Sequence, residues 1–474
     1  MLDTREIIKI AHKEHEHQAG SHADLARFVS DVESQIKDPA VIRHLSASSE
    51  PLEVVSFRCL LQDTGYPMEV YLPGEQAEGE VDFSQLKERW VGWGVQVPGE
   101  QPWIDEQSRE GQDSLPPSVH AKFPLPDRKG NYTGALIKVY DDVTFKPAST
   151  HQFVGILSSA PLPTHEPESA ELVPTLHVLK IVKIVEDTIE EDEGDAREEL
   201  VEYLASAFSP PDRLAGEFLL LSLISSPTTR PTAMSPLGTL SVNFRRKDEK
   251  VTANFSEIVK SVAPRVVDLP LSIELLHSHP FSPSSTDSSS LDAGLLQLSE
   301  GTVLVVEEDA MGGGGQLNEK AVKNLKALAE CMTEQRVRYE YPYMEGLKMD
   351  CAIRVVVLSQ GKTLLPVDVD LVVKGTAGQT FTRPDSLTRL RKYLAHLSSG
   401  RHAAKLNIPD DIAEIIQDSF VEGRRENAET AEDALKRRMK VARLLALSYP
   451  AAKLTKEVWD RTLYLDREMT GRKL

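Results

Sequence analysis

With 474 residues, 40% of them hydrophobic and 27% charged, the chain has the composition of a folded globular protein, and at roughly 150 residues per domain it has room for about three domains. Its 54 Lys and Arg against 73 Asp and Glu give a net charge of −19, which excludes a protein whose main task is gripping phosphate backbones and favours protein partners. Three cysteines, Cys59, Cys331 and Cys351, without Cys-x-x-Cys spacing, argue for a reducing compartment and against a cysteine zinc site.

No signal-peptide pattern opens the sequence, and the longest apolar run, Phe218 to Ile224, is too short to span a bilayer. An intracellular, soluble chain is expected. Basic clusters such as Arg245-Arg246-Lys247 and Lys436-Arg437-Arg438 are short enough to be solvated surface.

The first fifty residues read as helices. Thr4 caps one with Ile7, Ile8 and Ala11 at helical spacing, and a second runs from about His22 to Ile36 with Leu25, Phe28, Val29 and Val32 on one face. His12, His15 and His17 are interleaved with Lys13, Glu14 and Glu16, so a solvated polar face is expected there rather than a metal site.

Residues 51 to about 186 turn to β. Strand-like runs occur at Val54–Leu61, Met68–Leu72, Trp90–Val97, Ala135–Tyr140, Phe153–Leu157 and Leu176–Ile184, separated by turn signals. Five or six short strands suit a small closed barrel of the OB type. Such barrels often bind single-stranded nucleic acid on aromatic platforms, but Trp90, Trp93 and Trp103 lie among acidic residues and read as core. Direct nucleic-acid binding is therefore not expected. Pro98–Pro117 and Pro161–Pro167 read as loop or linker.

Nine Asp or Glu stand between Glu186 and Glu199 against one Arg, a solvated linker or a contact surface for a basic partner. Helices follow at Glu198–Phe208 and Pro211–Ser225. An α/β region then opens with a strand at Leu240–Phe244. In a nucleotide hydrolase the next residues would be glycines for close approach to phosphate, a Lys, and a Ser or Thr for Mg²⁺. Here they are Arg245-Arg246-Lys247-Asp248-Glu249-Lys250, so no phosphate loop follows Phe244.

Phe255–Val262 reads as a helix, and Ser282–Ser290 as a Ser-rich loop. His277 and His279 nearby have too few neighbouring ligands for a metal site. The apolar run Thr302–Val306 ends in Glu307, Glu308 and Asp309, as a buried parallel strand does when it delivers carboxylates to Mg²⁺. With its lead-in Asp292-Ala293-Gly294-Leu295 and Gly301, this stretch resembles the corresponding segment of mini-chromosome maintenance (MCM) helicase subunits, which are AAA+ ATPases. Without a phosphate loop the acids have no triphosphate to serve, and solvation at a strand edge is their expected role. Gly312 to Gly315 follow the wrong strand and read as a flexible loop.

Ala321–Cys331 reads as an amphipathic helix, Val337–Tyr341 as the start of a hairpin, and Ile353–Leu358 as a strand ending in Ser359 and Gln360 where helicase subunits keep a polar sensor. The last hundred residues carry helical spacing at Pro384–Leu397, Pro409–Glu422, Ala431–Ser448 and Lys456–Met469. Arg383 stands where an arginine finger for a partner's ATP site would sit, although a solvated Arg is the simpler reading.

Several short segments, in order, carry a further resemblance. They are Phe57-Arg58-Cys59-Leu60-Leu61-Gln62-Asp63, Val97-Pro98-Gly99-Glu100 with Trp103, Phe123-Pro124-Leu125-Pro126, Leu136 to Tyr140, Gly155-Ile156-Leu157, Leu172 to Val178, Phe218 to Ser225, Pro236-Leu237-Gly238, Phe420-Val421-Glu422, Val441 to Ser448 and Trp459. Together they resemble the MCM complex-binding protein family.

The resemblance implies a nuclear, non-catalytic protein that binds MCM helicase subunits, aids their assembly or stability and their unloading from chromatin, and has a link to sister chromatid cohesion. The expected fold is a multidomain α+β chain. It has N-terminal helices (1–50), an OB-like β domain (51–186), an acidic linker and helix (187–212), a degenerate AAA+-like α/β domain (213–380) and a helical lid (381–474). No cofactor or metal is expected, and no membrane partner. The alternatives are an unorthodox ATPase using Glu307 to Asp309 and a single-stranded nucleic-acid binder.

Overall fold

The computed structural model describes residues 3–19, 24–37, 42–73, 83–104, 115–126, 130–163, 171–183, 195–232, 234–285, 290–311, 316–375, 384, 386–426 and 428–473, which form a mixed α and β structure. Arg383, Gly312 to Gly315, the centre of the Ser-rich loop (286–289) and most of the acidic run (184–194) lie outside the described residues. No helix among the described residues is long and apolar enough to cross a membrane.

Two helices open the chain, α1 (Thr4–Ala19) and α2 (Leu25–Lys37). Ile8, Ala11 and Val32 pack against the strand residues Val54, Val154 and Ile156. The expected solvated histidine face is not what forms. His12 lies one turn after Ile8, on the buried face, and is 2% exposed with its ring 5.3 Å from that of Phe28. His15 is half-buried, and the side chain of His17 is not among those described.

Seven strands follow: β1 (Arg43–His44), β2 (Val54–Asp63), β3 (Glu69–Tyr71), β4 (Lys87–Gln96), β5 (Gly134–Val139), β6 (Thr150–Pro161) and β7 (Leu172–Val182). Their order is β1-β2-β6-β7-β5-β4-β3. Because β2 also pairs with β4, the five strands β2, β6, β7, β5 and β4 hydrogen-bond in a ring. The β5–β7 pair is parallel, and the other pairs of the ring are antiparallel. Alternation explains the two faces: Val55, Phe57, Cys59 and Leu61 point to one core with Ile137, Phe153 and Leu176, and Leu60 points to another with Trp93, Phe123 and Tyr132. Trp90 and Trp93 are core residues, 7% and 0% exposed. Strand β7 starts at Leu172, earlier than periodicity suggests. Pro174 breaks the pattern, but it precedes the β5 pairing, which begins at Thr175, so its missing N–H is tolerated.

The second half runs α3 (Ala196–Ala205), α4 (Arg213–Ile224), β8 (Val242–Arg245), α5 (Phe255–Val262), β9 (Val266–Pro270), α6 (Ile273–Ser278), β10 (Val303–Glu307), α7 (Glu319–Glu334), β11 (Arg336–Arg338), β12 (Lys348–Asp350), β13 (Arg354–Ser359) and β14 (Val369–Val372). Helices α8 (Thr388–Leu397), α9 (Gly400–Ala403), α10 (Asp410–Glu426), α11 (Ala428–Leu447) and α12 (Lys456–Gly471) end it. Strands β14-β8-β13-β10-β9 form a parallel sheet, while β11 and β12 form an antiparallel ribbon. One sheet face, with Val242, Phe244, Val303, Val305 and Val356, packs on α3, α4, α5, α8, α11 and α12. The other, with Val267, Leu304, Val306 and Val355, packs on α6, α7 and the segment 291–298. Burial on both faces is why the sequence of β10 is apolar throughout. Strands β9 and β14 escape periodicity because Asp268 and Asp370 interrupt runs of only five and four residues.

The two halves are joined by buried polar contacts. Lys122 Nζ, wholly inaccessible, donates to Asp63 Oδ2 (2.9 Å) and to the Leu291 carbonyl (3.1 Å). The Leu291 N–H donates to the same Asp63 oxygen (2.9 Å), and Gln62 and Gln297 exchange bonds beside it. Gly294 passes so close to the chain at 281–283 that a Cβ would lie 2.3 Å from the Ser282 carbonyl carbon. The segment expected to be a linker after Pro98 is docked instead. The Val266 N–H donates to the Gly99 carbonyl (2.8 Å), and Trp103 Nε1 donates to the Lys260 carbonyl (2.9 Å) with the Arg391 guanidinium 4.1 Å from its ring.

A second ionic cluster seats α1. Glu14 accepts from Arg89 (2.7 Å) and Lys138 (3.2 Å), which also hold Glu69. Arg89 donates to the Tyr140 hydroxyl, which shares a hydrogen bond with His177 Nδ1 (2.8 Å), and His177 Nε2 lies 3.6 Å from Glu14. Burial alone would raise the Glu14 carboxyl; His177, Lys138 and Arg89 outweigh it and hold it at about 2. Burial pulls His177 down to about 3, which Glu14 only partly opposes and Lys138 and Arg89 reinforce.

Two outcomes are expected. Lys122→Ala strands a buried carboxylate and lowers stability by roughly 3–5 kcal/mol in chemical denaturation, whereas Lys122→Met with Asp63→Leu recovers most of it. An unfolded histidine binds its proton near pH 6.5 and the folded His177 only near 3, so its contribution is complete above 6.5 and drains as pH falls toward 3. The Glu14 contribution drains from 4.5 toward 2. The melting temperature should fall from pH 7 to 4.5, and His177→Gln should flatten that fall.

Candidate functional site

The parallel sheet brings the ends of β8, β13 and β10 to one edge, with β13 between the other two. Arg245 to Lys250 therefore face Glu307, Glu308 and Asp309 across Ser359 and Gln360, the arrangement that a nucleotide site would need. What fills it is an arginine. Arg246, 3% exposed, donates to Asp309 Oδ2 from Nη2 (2.8 Å) and Nε (3.1 Å), and bonds the Thr252 hydroxyl. Its own N–H donates to the Ser359 carbonyl (2.8 Å). Asp309 Oδ1 accepts the Gln360 N–H (2.9 Å).

The expectation of acids solvated at a strand edge is overturned for two of the three. Glu308 is buried, accepting from the Leu364 N–H (2.8 Å) and the Thr363 hydroxyl (3.1 Å). Burial raises its carboxyl above the usual range, those two bonds opposing and Asp309 adding repulsion. Asp309 has its countercharge in Arg246. Glu307 is half-buried at the last strand position, its carbonyl accepting the Leu271 N–H (3.0 Å). The physical reason is that the guanidinium just after β8 supplies Asp309 with a countercharge and two N–H donors.

The neighbouring strand ends are closed in the same way. Arg245 and Asn243 both bond Asp370, and Ser359 Oγ donates to Asn243 Oδ1 (3.1 Å). The edge orders the three loops through Asp309, Glu308 and Asp370. His277 and His279 are half-buried and used locally, His277 accepting the Asn318 N–H (3.4 Å) and His279 contacting the Pro124 carbonyl (2.9 Å). Among the described residues no group of three His, Cys, Asp or Glu gathers to hold a metal. Tyr343, in the turn between β11 and β12, is 93% exposed.

Sequence reasoning finds the acids but not their partner. Arg246 is read only as a missing glycine, because nothing in a run of six charged residues says which one turns inward. Gln62, Asp63, Lys122 and Gln297 are missed as well, since polar residues within apolar strands and turns carry no spacing rule.

Comparison with known proteins finds relatives by sequence. The family described as Mini-chromosome maintenance replisome factor matches residues 106–473. The chain is 28% identical over 459 residues to the mini-chromosome maintenance complex-binding protein of Gallus gallus, covering 83% of this chain and 71% of the relative. It is 28% identical over 442 residues to that of Homo sapiens, covering 79% and 67%. A Schizosaccharomyces pombe protein of the UPF0616 group is 22% identical, covering 84% and 82%.

If the Arg246 to Asp309 pair is structural, Arg246→Ala lowers stability by roughly 3 kcal/mol, and Arg246→Ala with Asp309→Ala recovers most of it in a double-mutant cycle. Freeing the carboxylate does not create ATP binding, as read by fluorescent-nucleotide titration.

Proposed function

This chain belongs to the Mini-chromosome maintenance replisome factor family, and from that premise we propose that it binds subunits of the MCM replicative helicase as a non-catalytic partner in the nucleus. It aids their assembly or stability and their unloading from chromatin during DNA replication, with a link to sister chromatid cohesion. The observation that carries the non-catalytic part is Arg246 lying against Asp309 where a phosphate loop and Mg²⁺ would lie.

The fold supports the reading. The ring of β2, β4, β5, β7 and β6 suits an OB-type barrel, and the parallel order β14-β8-β13-β10-β9, with helices on both faces, suits an AAA+-like core. Helices α8 to α12 suit a lid drawn down onto that core. A protein with this outline can sit beside helicase subunits while Arg246 occupies Asp309 at its own strand edge. The buried Trp90 and Trp93 offer no stacking platform for a single strand.

The purified protein is expected to form a complex with soluble MCM subunits whose stability is the same with or without ATP, measured by co-elution. Failure to capture any MCM subunit from nuclear extract sinks the proposal. Micromolar ATP affinity abolished by Glu308→Gln would replace it with an ATPase, and a salt-dependent shift of an oligonucleotide at physiological salt with a single-strand binder.

A further inference from the structure

At the opposite edge of the parallel sheet, where β8 and β14 begin, a groove of about 810 Å³ opens between the turn at Met234–Gly238 and helix α11. Its volume is in the range of sites that hold several side chains of a ligand. The apolar part comes from Leu237, Val367, Leu435 and Met439, with Met234 standing 65% exposed at the lip. Methionines at the lip and floor give an apolar surface that can reshape around different side chains.

The charge of the groove runs against that of the chain. It is lined by four cations, Lys436, Arg437, Lys440 and Arg443, and two acids, Asp368 and Asp433, in a protein of net charge −19. Lys440 is committed to Asp368 (2.6 Å) and Arg437 to Asp466 (2.8 Å). Lys436 pairs with Glu432 one turn away and also feels Asp433, and the pair is so exposed (61% and 71%) that it holds the side chain weakly. Arg443, half-buried in the groove wall, has no carboxylate or hydrogen-bond partner among the described residues. An arginine in the groove wall without a countercharge leaves its fork of donors open to an incoming carboxylate.

We propose that this groove is the docking site for a short acidic amphipathic helix of a partner protein, its apolar side chains against Leu435 and Met439 and its carboxylates on Arg443 and Lys436. The inference rests on the reading of the chain as a binding protein and adds the surface and the chemistry of what it binds. A helix fits because α11 forms one straight wall, against which a second helix buries residues at i, i+3, i+4 and i+7. An acidic segment fits because the rest of the surface repels it, so the groove fixes where and in which direction it lands.

The test uses the full-length protein and purified MCM subunits, with affinity measured for wild type, Met234→Asp, Lys436→Glu, Arg443→Glu and a control, Arg27→Glu, on the distant helix α2, where the side chain is 82% exposed. Melting temperatures report folding, and Met234 and Lys436 are exposed enough for their variants to fold even if that of Arg443 does not. Each groove variant is expected to weaken binding ~10-fold while the control binds as wild type. Wild-type binding that every folded groove variant retains overturns the groove and leaves the proposed function standing. No binding by wild type overturns both. A photo-crosslinker at position 435 should capture an acidic, helix-forming peptide of a helicase subunit; capture of a basic segment, of this chain's own residues 184–194, or of a second copy overturns the assignment.

Discussion

A lysine ammonium with no access to water must be neutralised where it sits, and Lys122 has Asp63 as its countercharge among the described residues. Each partner comes from the β half of the chain, yet both complete their hydrogen bonds on the backbone of Leu291, which belongs to the α/β half. The pair is therefore unsatisfied unless the halves are docked, and the docking is specified by direction as well as by area. Apolar contact would allow the halves to slide; a buried charge with a fixed set of acceptors does not. The segment that follows, 291–298, then lies against the sheet, and Gly294 lets it pass beneath 281–283 without a side chain in the way. The strand β10 inherits its position from that segment, and with it the acids at its end.

The acids at the end of β10 are held by a frame that does not depend on them. The shape is held by Val303 to Val306, buried on both faces, and by the equally buried strands beside them. None of that free energy passes through a phosphate loop. The loop's contribution in a hydrolase is charge and N–H donors at a sheet edge, and a single inward guanidinium supplies both to Asp309. Arg246 is a countercharge for Asp309 that the chain itself supplies. Glu308, turned to the Leu364 N–H and the Thr363 hydroxyl, has the same character.

The legible part of the fold is the part with a period. Helices α1, α5, α11 and α12 and strands β2, β4, β5, β10 and β13 stand close to where apolar spacing puts them, because in each the buried face repeats along several residues. What spacing misses has a physical cause in each case. Strands β9 and β14 are too short and are interrupted by Asp268 and Asp370. Pro174 hides the first residues of β7. His12, read as solvated from its charged neighbours, is buried because α1 turns the Ile8 face inward; Lys13 turns out, while Glu14 turns in to Arg89 and Lys138. At the candidate site the strand-end acids and the missing glycines are visible, since both are local. The pairing of Arg246 with Asp309 joins residues 63 positions apart and has no local trace.

Charge is placed by the same logic across the molecule. Where carboxylates are buried, as at Asp63, Glu14, Glu217 and Asp309, each faces a lysine or arginine that sits just as deep, and the pair fixes one element against another. Cations spent inward in this way are unavailable outside, which leaves the excess acid on the surface and raises the net charge there. A surface of that kind repels acidic partners and is indifferent to apolar ones, so a patch that breaks the rule is set apart by contrast rather than by strength. The wall of α11 is such a patch: Arg443 is turned toward a groove instead of toward a carboxylate, and Met234 is left in water beside it. Buried Arg354 also lacks a carboxylate but spends its guanidinium on the Ser225 and Gly301 carbonyls, whereas Arg443 has neither among the described residues and stands next to exposed apolar surface, where another molecule can supply the closure.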